Sequence, residues 1–329
     1  ATMVQTYLKE TNPSEVHKVG VIAANPSQSK HLETATMVVY GIECDFCNLR
    51  AQEVYTEDSR IPTTVFGTPL EDAQRRDFCC NALFWNLRTR HIEDWTGRGL
   101  QDLLQGKILV TPLDPFTTFY DDPLRVLRAI RFAIRFDFAL DKNLEEASAS
   151  KKIQDALMLK VSRERVGKEL DGMLCGKGAK PHLALLTIHR LGLSECVFPL
   201  PTNVEIQGET VPDPWGRASA LVQKIPAALE GFQTPDGKTP LDTKMFAMAV
   251  FLLPFRSQSY KDRKSKNHSI VEYMIKDGIK FKNKDVAGML LLMEYVDKFV
   301  DLLKKSEMSR LEAGLLVRAT KDLWVMESN

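Results

Sequence analysis

Long apolar runs are missing from this 329-residue chain: none approaches the roughly 20 residues that a membrane-crossing helix needs, so a helical membrane protein is excluded. No basic stretch leading into a short apolar core opens the sequence, and no secretory leader is expected. An excess of one charge is missing too. With 44 basic and 43 acidic side chains the net charge is +1, which argues against indiscriminate coating of nucleic acid but leaves room for a local basic face. There is no internal repeat and no low-complexity segment. Cysteine is scarce, with six in all. Cys44 and Cys47 in "CDFC" have the C-x-x-C spacing of zinc and redox sites. However, "MVVYGIECDFCNLR" reads as a hairpin, and strand residues three apart point to opposite faces, so these thiols are not expected to grip one ion. Buried, reduced thiols in an intracellular protein are the expectation.

What is present is ordinary globular composition, 44% hydrophobic and 26% charged, in a chain too long for one small core. Up to about Pro112 the pattern is strand-like and mixed. "KVGVIA", "TMVVYGIECDFCNLR" and "NALFWNLRTRHIEDW" alternate, while "NPSQSKHLETATM" and "EVYTEDSRIPTTVFGTP" read as loops. After Pro112 helical spacing takes over in "DDPLRVLRAIRFAIRF", "SRERVGKELDGML", "KPHLALLTIHRLGL" and "DTKMFAMAVFLLPF". Two more amphipathic helices follow near 286–305 and 310–326. The layout predicts an α/β head and an all-helical remainder.

"DDPLRVLRAIRFAIRF" carries an acid and then Arg125, Arg128 and Arg131 at intervals of three beside an apolar face. Pro123 suits a first helical position, and Asp122 before it can cap free amides. Arg125, one turn on, shares the face of Asp122. A carboxylate beside a guanidinium sets an acceptor next to donors. Cytosine and adenine each present an amino donor beside a ring-nitrogen acceptor, and both fit that pair. Uracil and guanine present a carbonyl beside an N–H, and both clash with it. Arg128 reaches a phosphate or base from the next turn; Arg131 is weaker, because nine residues of helix place it nearly opposite Asp122.

Three other segments carry candidate chemistry. In "EDAQRRDFCCNALF", Arg75 and Arg76 suit a triphosphate, and Asp77, with Asn81 following, suits ribose hydroxyls. Charged residues ahead of an apolar run also mark ordinary element boundaries. In "EDWTGRGLQDL", Gly97 and Gly99 permit a tight turn that Asp94 and Asp102 brace. In "KVSRERVGKE", Ser162 reads as a helix start and Arg163, Glu164, Arg165 and Glu169 as a structural ion-pair network. Farther on, Lys261, Arg263, Lys264 and Lys266 lie in a lysine-rich stretch with Tyr260, Tyr273 and Phe281 interleaved. It is either a solvated loop or an RNA-contacting face.

The order "RRDFCCNALF", "EDWTGRGLQDL", "DDPLRVLRAIRFA", "SRERVGKE" resembles the CCA-adding tRNA nucleotidyltransferases of the bacterial and eukaryotic class, with a fungal or plant flavour in "DFCNLR" and "SRIPTTVFGTPLEDA". The resemblance covers roughly residues 15 to 200. It implies a polymerase-β-like head with a mixed or antiparallel sheet over 1–112. A helical neck that reads the base follows over 113–180, and a helical body that binds tRNA over 181–329. It implies CTP and ATP as substrates, nucleotide contacts from Arg75, Arg76, Asp77, Asn81, Asp122, Arg125, Arg128 and Arg131, and a flexible element at Asp94–Asp102. Asp45 falls at a third catalytic, magnesium-binding carboxylate. Cys79 stands where the family usually has threonine.

One family feature is missing: no Gly-Gly loop and no Asp-x-Asp strand occurs ahead of "SKHLETATM". Two-metal phosphoryl transfer needs those carboxylates to hold Mg2+. The chain opens on Ala1, and truncation, disorder and true loss are the alternatives. Residues 1–329 alone are therefore expected not to catalyse. The competing functions are most of a CCA-adding enzyme, or an inactive relative serving in a larger protein or RNA assembly. A relative that adds only C, only A or a poly(A) tail is a third reading. The compartment is not legible.

Overall fold

The computed structural model describes residues 1–22, 34–50, 66–106, 108–176, 178–230, 242–305 and 309–319. They form two compact units, Ala1–Gly106 with Val110–Asp114, and Lys107–Leu109 with Pro115–Asn329.

The first unit opens with α1 (Thr2–Thr11) and an antiparallel sheet, β1 (Gly20–Ile22), β2 (Thr34–Val39) and β3 (Ile42–Cys47), in that order across the sheet. Val39 pairs with Ile42, so the β2–β3 hairpin closes on two residues, Tyr40 and Gly41, both at positive φ, as a tight hairpin turn requires. The two expected loops fall mostly outside the described residues. Helix α2 (Pro69–Gln74) begins with a reciprocal cap in which Thr68 Oγ1 accepts the Glu71 amide at 3.3 Å and the Glu71 carboxylate accepts the Thr68 amide at 2.7 Å. The expected "NALFWNLRTRHIEDW" hairpin is present as β4 (Phe84–Asn86) and β5 (His91–Glu93), and α3 (Gly99–Gln101) follows. Met37, Ala73, Phe78, Cys79 and Ala82 are buried in this unit.

The second unit is mostly helical. Its first part comprises β6 (Ile108–Leu109), α4 (Pro115–Asp121), α5 (Leu124–Phe136), β7 (Ala139–Leu140), α6 (Lys142–Ala149), α7 (Lys151–Lys160), α8 (Arg163–Leu174) and α9 (Pro181–Arg190). Next come α10 (Ser194–Val197), β8 (Ile206–Gln207), α11 (Pro214–Val222), α12 (Ile225–Glu230) and α13 (Thr243–Leu252). The rest is β9 (Ser259–Lys261), β10 (Asn267–Ser269), α14 (Ile270–Tyr273), α15 (Asn283–Leu303) and α16 (Arg310–Ala319).

Strands β8, β9 and β10 form a small antiparallel sheet, so the remainder is not all helix as expected. Short alternating segments beside Gly208 and the polar turn at 262–266 were too brief to register as strands against the surrounding helical pattern. Helix α5 is the axis of the unit. Leu124, Val126, Leu127, Ala129, Ile130, Ala133 and Ile134 are all buried on it, against α8 and α9. Each fully buried large apolar side chain contributes about 1.5–3 kcal/mol. The helix stops at Asp137, in the left-handed conformation at φ 58°, with its amide on the Ala133 carbonyl. A second core gathers Phe198, Trp215, Phe251 and Phe255, with ring centroids 4.6–6.2 Å apart.

Candidate functional site

In the first unit the residues of "EDAQRRDFCCN" are held by one another. Asp72, nearly buried, accepts Arg76 Nε and Nη2 at 3.0 and 2.9 Å, lies 3.9 Å from Arg75, and takes the Arg50 amide at 3.2 Å. The Arg76 guanidinium also lies over the Phe84 ring. Asp77 is only 5% exposed and caps the turn after it, accepting the Phe78 amide at 3.0 Å and Asn81 Nδ2 at 2.9 Å. Its first task is thus to fix Asn81 and the start of the buried segment, a structural role that the ribose reading did not include.

The glycine element is braced as expected. Asp94 Oδ1 accepts the Thr96 and Gly97 amides, both at 3.1 Å, and Oδ2 accepts the Leu100 amide at 2.9 Å. Burial alone would raise this carboxyl, but the bonds from Leu100, Thr96 and Gly97 outweigh it and hold the group below its ordinary value. Asp102, 4% exposed, takes a forked pair of bonds from Arg98 at 3.0–3.2 Å. Gly97 adopts φ +73°, and a Cβ on Gly99 would fall 2.4 Å from the Cys79 carbonyl oxygen. The element therefore docks directly on "FCCN". Burial pushes the Cys79 thiol up, with the Thr96 hydroxyl partly offsetting it.

On β3, Asp45 is exposed and accepts the Thr36 hydroxyl at 2.6 Å. Glu43, two residues away, shares its face by strand alternation, which corrects the sequence reading that set it on the opposite face; Cys44 lies on the other face from Cys47. Only Cys79 and Cys196 of the six thiols are buried, so the expectation of buried cysteines holds for those two alone. Among the described residues no group of three or more His, Cys, Asp or Glu could hold a metal ion. A two-magnesium centre needs several carboxylates around one phosphate, and Asp45 by itself does not fit it.

In the second unit Asp122 sits between α4 and α5. Its Oδ1 accepts the Leu124 amide at 3.3 Å, the cap foreseen from the sequence, although the helix begins one residue later than expected. Its Oδ2 faces Arg165 Nη2 of α8 at 3.4 Å. Arg125 stands one turn on, with its amide on the Asp122 carbonyl at 3.0 Å and Nη1 toward the Thr118 carbonyl at 3.4 Å. Arg128 and Arg131 turn to Glu169 on α8, at 3.7 and 2.6 Å, and both lie over the Phe132 ring. Arg131 is thus a tie between helices.

The residues of "SRERVGKE" do not pair with one another as read. Ser162 does cap α8, accepting the Arg165 amide at 3.4 Å, but Arg163, Arg165 and Glu169 each serve a different element. Arg163 donates to the carbonyls of Cys196, Val197 and Gly278, Arg165 serves Asp122, and Glu169 serves α5. The sequence signal for Arg165 and Glu169 was their i, i+4 spacing on one helix face. The lysine-rich stretch is a hairpin whose tip exposes Lys261, Arg263, Lys264 and Lys266.

Residues 1–109 match the poly A polymerase head domain. Over 98% of its length the chain is 35% identical to a protein named mitochondrial CCA tRNA nucleotidyltransferase of Saccharomyces cerevisiae, 64% of which it covers. It is equally similar, over the same share, to a tRNA nucleotidyltransferase of Schizosaccharomyces pombe, covering 65% of it. Over nearly its whole length the chain is similar to tRNA nucleotidyltransferases. A solved CCA-adding enzyme in an apo form superposes with a TM-score of 0.60 at 20% identity, over 97% of this chain and 68% of that one, which shows a shared fold. The chain spans just under two thirds of the length of these curated relatives. No helix among the described residues is long and apolar enough to cross a membrane.

Proposed function

We propose that this chain selects CTP and ATP for addition to the 3′ end of tRNA, reading the base with amino-acid side chains and no nucleic-acid template. One observation carries the reading: Asp122 Oδ1 is fixed by the Leu124 amide while Oδ2 faces outward to Arg165, with Arg125 one turn away. A carboxylate held at one oxygen presents the other in a defined direction, as an acceptor for the amino group of cytosine or adenine. Arg125 supplies the donor for the neighbouring ring nitrogen. Arg165 neutralises Asp122 until a base arrives. Arg75 and Arg76 of the first unit supply positive charge suited to phosphates, and Asp77 and Asn81 shape the turn behind them. Arg128 is the further candidate for nucleotide contact on α5. An intracellular setting accords with the yeast relative, whose name is mitochondrial.

The test exchanges the order of donor and acceptor, Asp122→Arg with Arg125→Asp. Preference in equilibrium nucleotide binding is expected to move toward UTP and GTP, whose edges present the reverse order. An unchanged preference for CTP and ATP in the exchanged protein contradicts the reading.

A second reading is supported by the sequence: Asp45 is the one family carboxylate matched in the first unit. In it, residues 1–329 bind nucleotide and RNA without turning over. Incorporation of labelled CMP and AMP into tRNA lacking its CCA, beside the yeast relative as positive control, tests this second reading, on which residues 1–329 incorporate neither. Turnover comparable to the relative would show that the catalytic acids have been misplaced.

A further inference from the structure

The tip of the β9–β10 hairpin holds a cluster of cations that the base-reading argument does not use. Lys261, Arg263, Lys264 and Lys266 are all exposed. Among the described residues none of the four is in an ion pair, whereas nearby Arg256, Lys276 and Lys280 are matched by Asp297, Glu272 and Asp277. The one acid within the tip, Asp262, is turned inward. Its Oδ1 accepts the amides of Lys264 at 2.8 Å and Lys266 at 2.9 Å, and its Oδ2 lies 3.1 Å from His268 Nε2. The Asp262 amide donates to the Lys266 carbonyl at 2.9 Å, and Ser265 completes the turn at φ 60°. At the base of the hairpin Tyr260 stacks on His268 and meets Tyr273 edge-on, with centroids 5.5 and 5.8 Å apart. The segment is therefore a shaped element with uncompensated charge, rather than a solvated loop.

The chemistry of the tip narrows the partner. Residues 261–267 read Lys-Asp-Arg-Lys-Ser-Lys-Asn, with no apolar side chain. A lipid-inserting element needs one to enter the acyl boundary, and a protein interface needs apolar or aromatic anchors at its centre. Contacts to a phosphate backbone need only charge and hydrogen-bond donors held in place. We propose that this hairpin is a preformed contact for the phosphate backbone of folded RNA, with Asp262 as the positioning residue that holds the cations in register. The inference rests on tRNA being the partner of this chain, as argued above.

The experiment measures binding of the full chain to a tRNA transcript lacking its CCA end, by fluorescence anisotropy across a salt series. The double variant Lys264→Ala with Lys266→Ala is expected to lower the slope of log K against log salt by about two, one for each cation removed. Asp262 supplies a test of opposite sign. If the tip acted only through net charge, removing an acid would tighten binding. If the carboxylate positions the tip, Asp262→Ala weakens binding severalfold, while Asp262→Asn, which keeps an acceptor for the two amides, does not. Tighter or unchanged binding by Asp262→Ala, or an unchanged slope in the double variant, overturns the proposal. So does a loss confined to phosphatidylserine vesicles or to polyglutamate. Because the readout is binding of RNA alone, it is independent of base selection at Asp122: failure of one leaves the other standing.

Discussion

At the scale of single residues, placement decides which chemistry is open to each side chain. Asp122 and Asp77 are both caps, but only one has an oxygen left facing outward. Asp77 is 5% exposed and engaged by Phe78 and Asn81, whereas the Asp122 side chain is 36% exposed toward Arg165. The exposed Asp122–Arg165 pair contributes less than about 1 kcal/mol to stability, so its value lies in orientation. Cysteine reactivity follows the same logic. Burial pushes both Cys80 and Cys196 up to about 11 and raises Cys79 as well. Thiolate is the reactive form, so these three are expected to resist iodoacetamide at neutral pH while exposed Cys47 is modified first. Peptide mapping after graded labelling checks the order; early modification of Cys196 would contradict the packing described around it.

At the scale of elements, the tie between α5 and α8 holds the helix proposed to read the base. Glu169 is 9% exposed and holds Arg128 and Arg131. Glu169→Gln removes the charge that joins two partly covered guanidinium groups and is expected to cost about 2 kcal/mol, below the range for a fully buried pair. A lower urea midpoint with an unchanged slope would register it; no shift would mean that the arginines find water instead. The glycine element has a pH dependence of known sign. Because the folded-state Asp94 carboxyl lies below its ordinary value, its stabilisation is complete above the usual aspartate range and is lost as pH falls through the lowered value. Acid titration of thermal stability is expected to show that loss in the native protein and less of it in Asp94→Asn.

Much of this was legible in sequence: the capping acid before α5, the glycine turn with its two aspartates, and the hairpin that carries "CDFC". What was not legible depends on contacts distant along the chain. Arg165 is 43 residues from Asp122, and Glu169 is 38 from Arg131. Local spacing could mark them as surface charges but could not show whom they meet. The β9–β10 hairpin was missed because its strands are three residues each and its turn is lysine-rich, a composition that reads as loop.

At the scale of the molecule, the two units divide the work by composition. The first matches the poly A polymerase head domain, and the second carries the helix proposed to read the base and the basic hairpin. The central claim is that selection between bases resides in the Asp122 carboxylate. The direct measurement is equilibrium binding of CTP, ATP, UTP and GTP to the chain and to Asp122→Ala, by calorimetry without RNA. The native chain is expected to prefer CTP and ATP. In Asp122→Ala that preference should shrink by on the order of 1.5–3 kcal/mol, the worth of one charge-assisted hydrogen bond, with both favoured nucleotides losing together. Equal binding of all four nucleotides by the native chain, or a preference that survives in Asp122→Ala, would contradict the account.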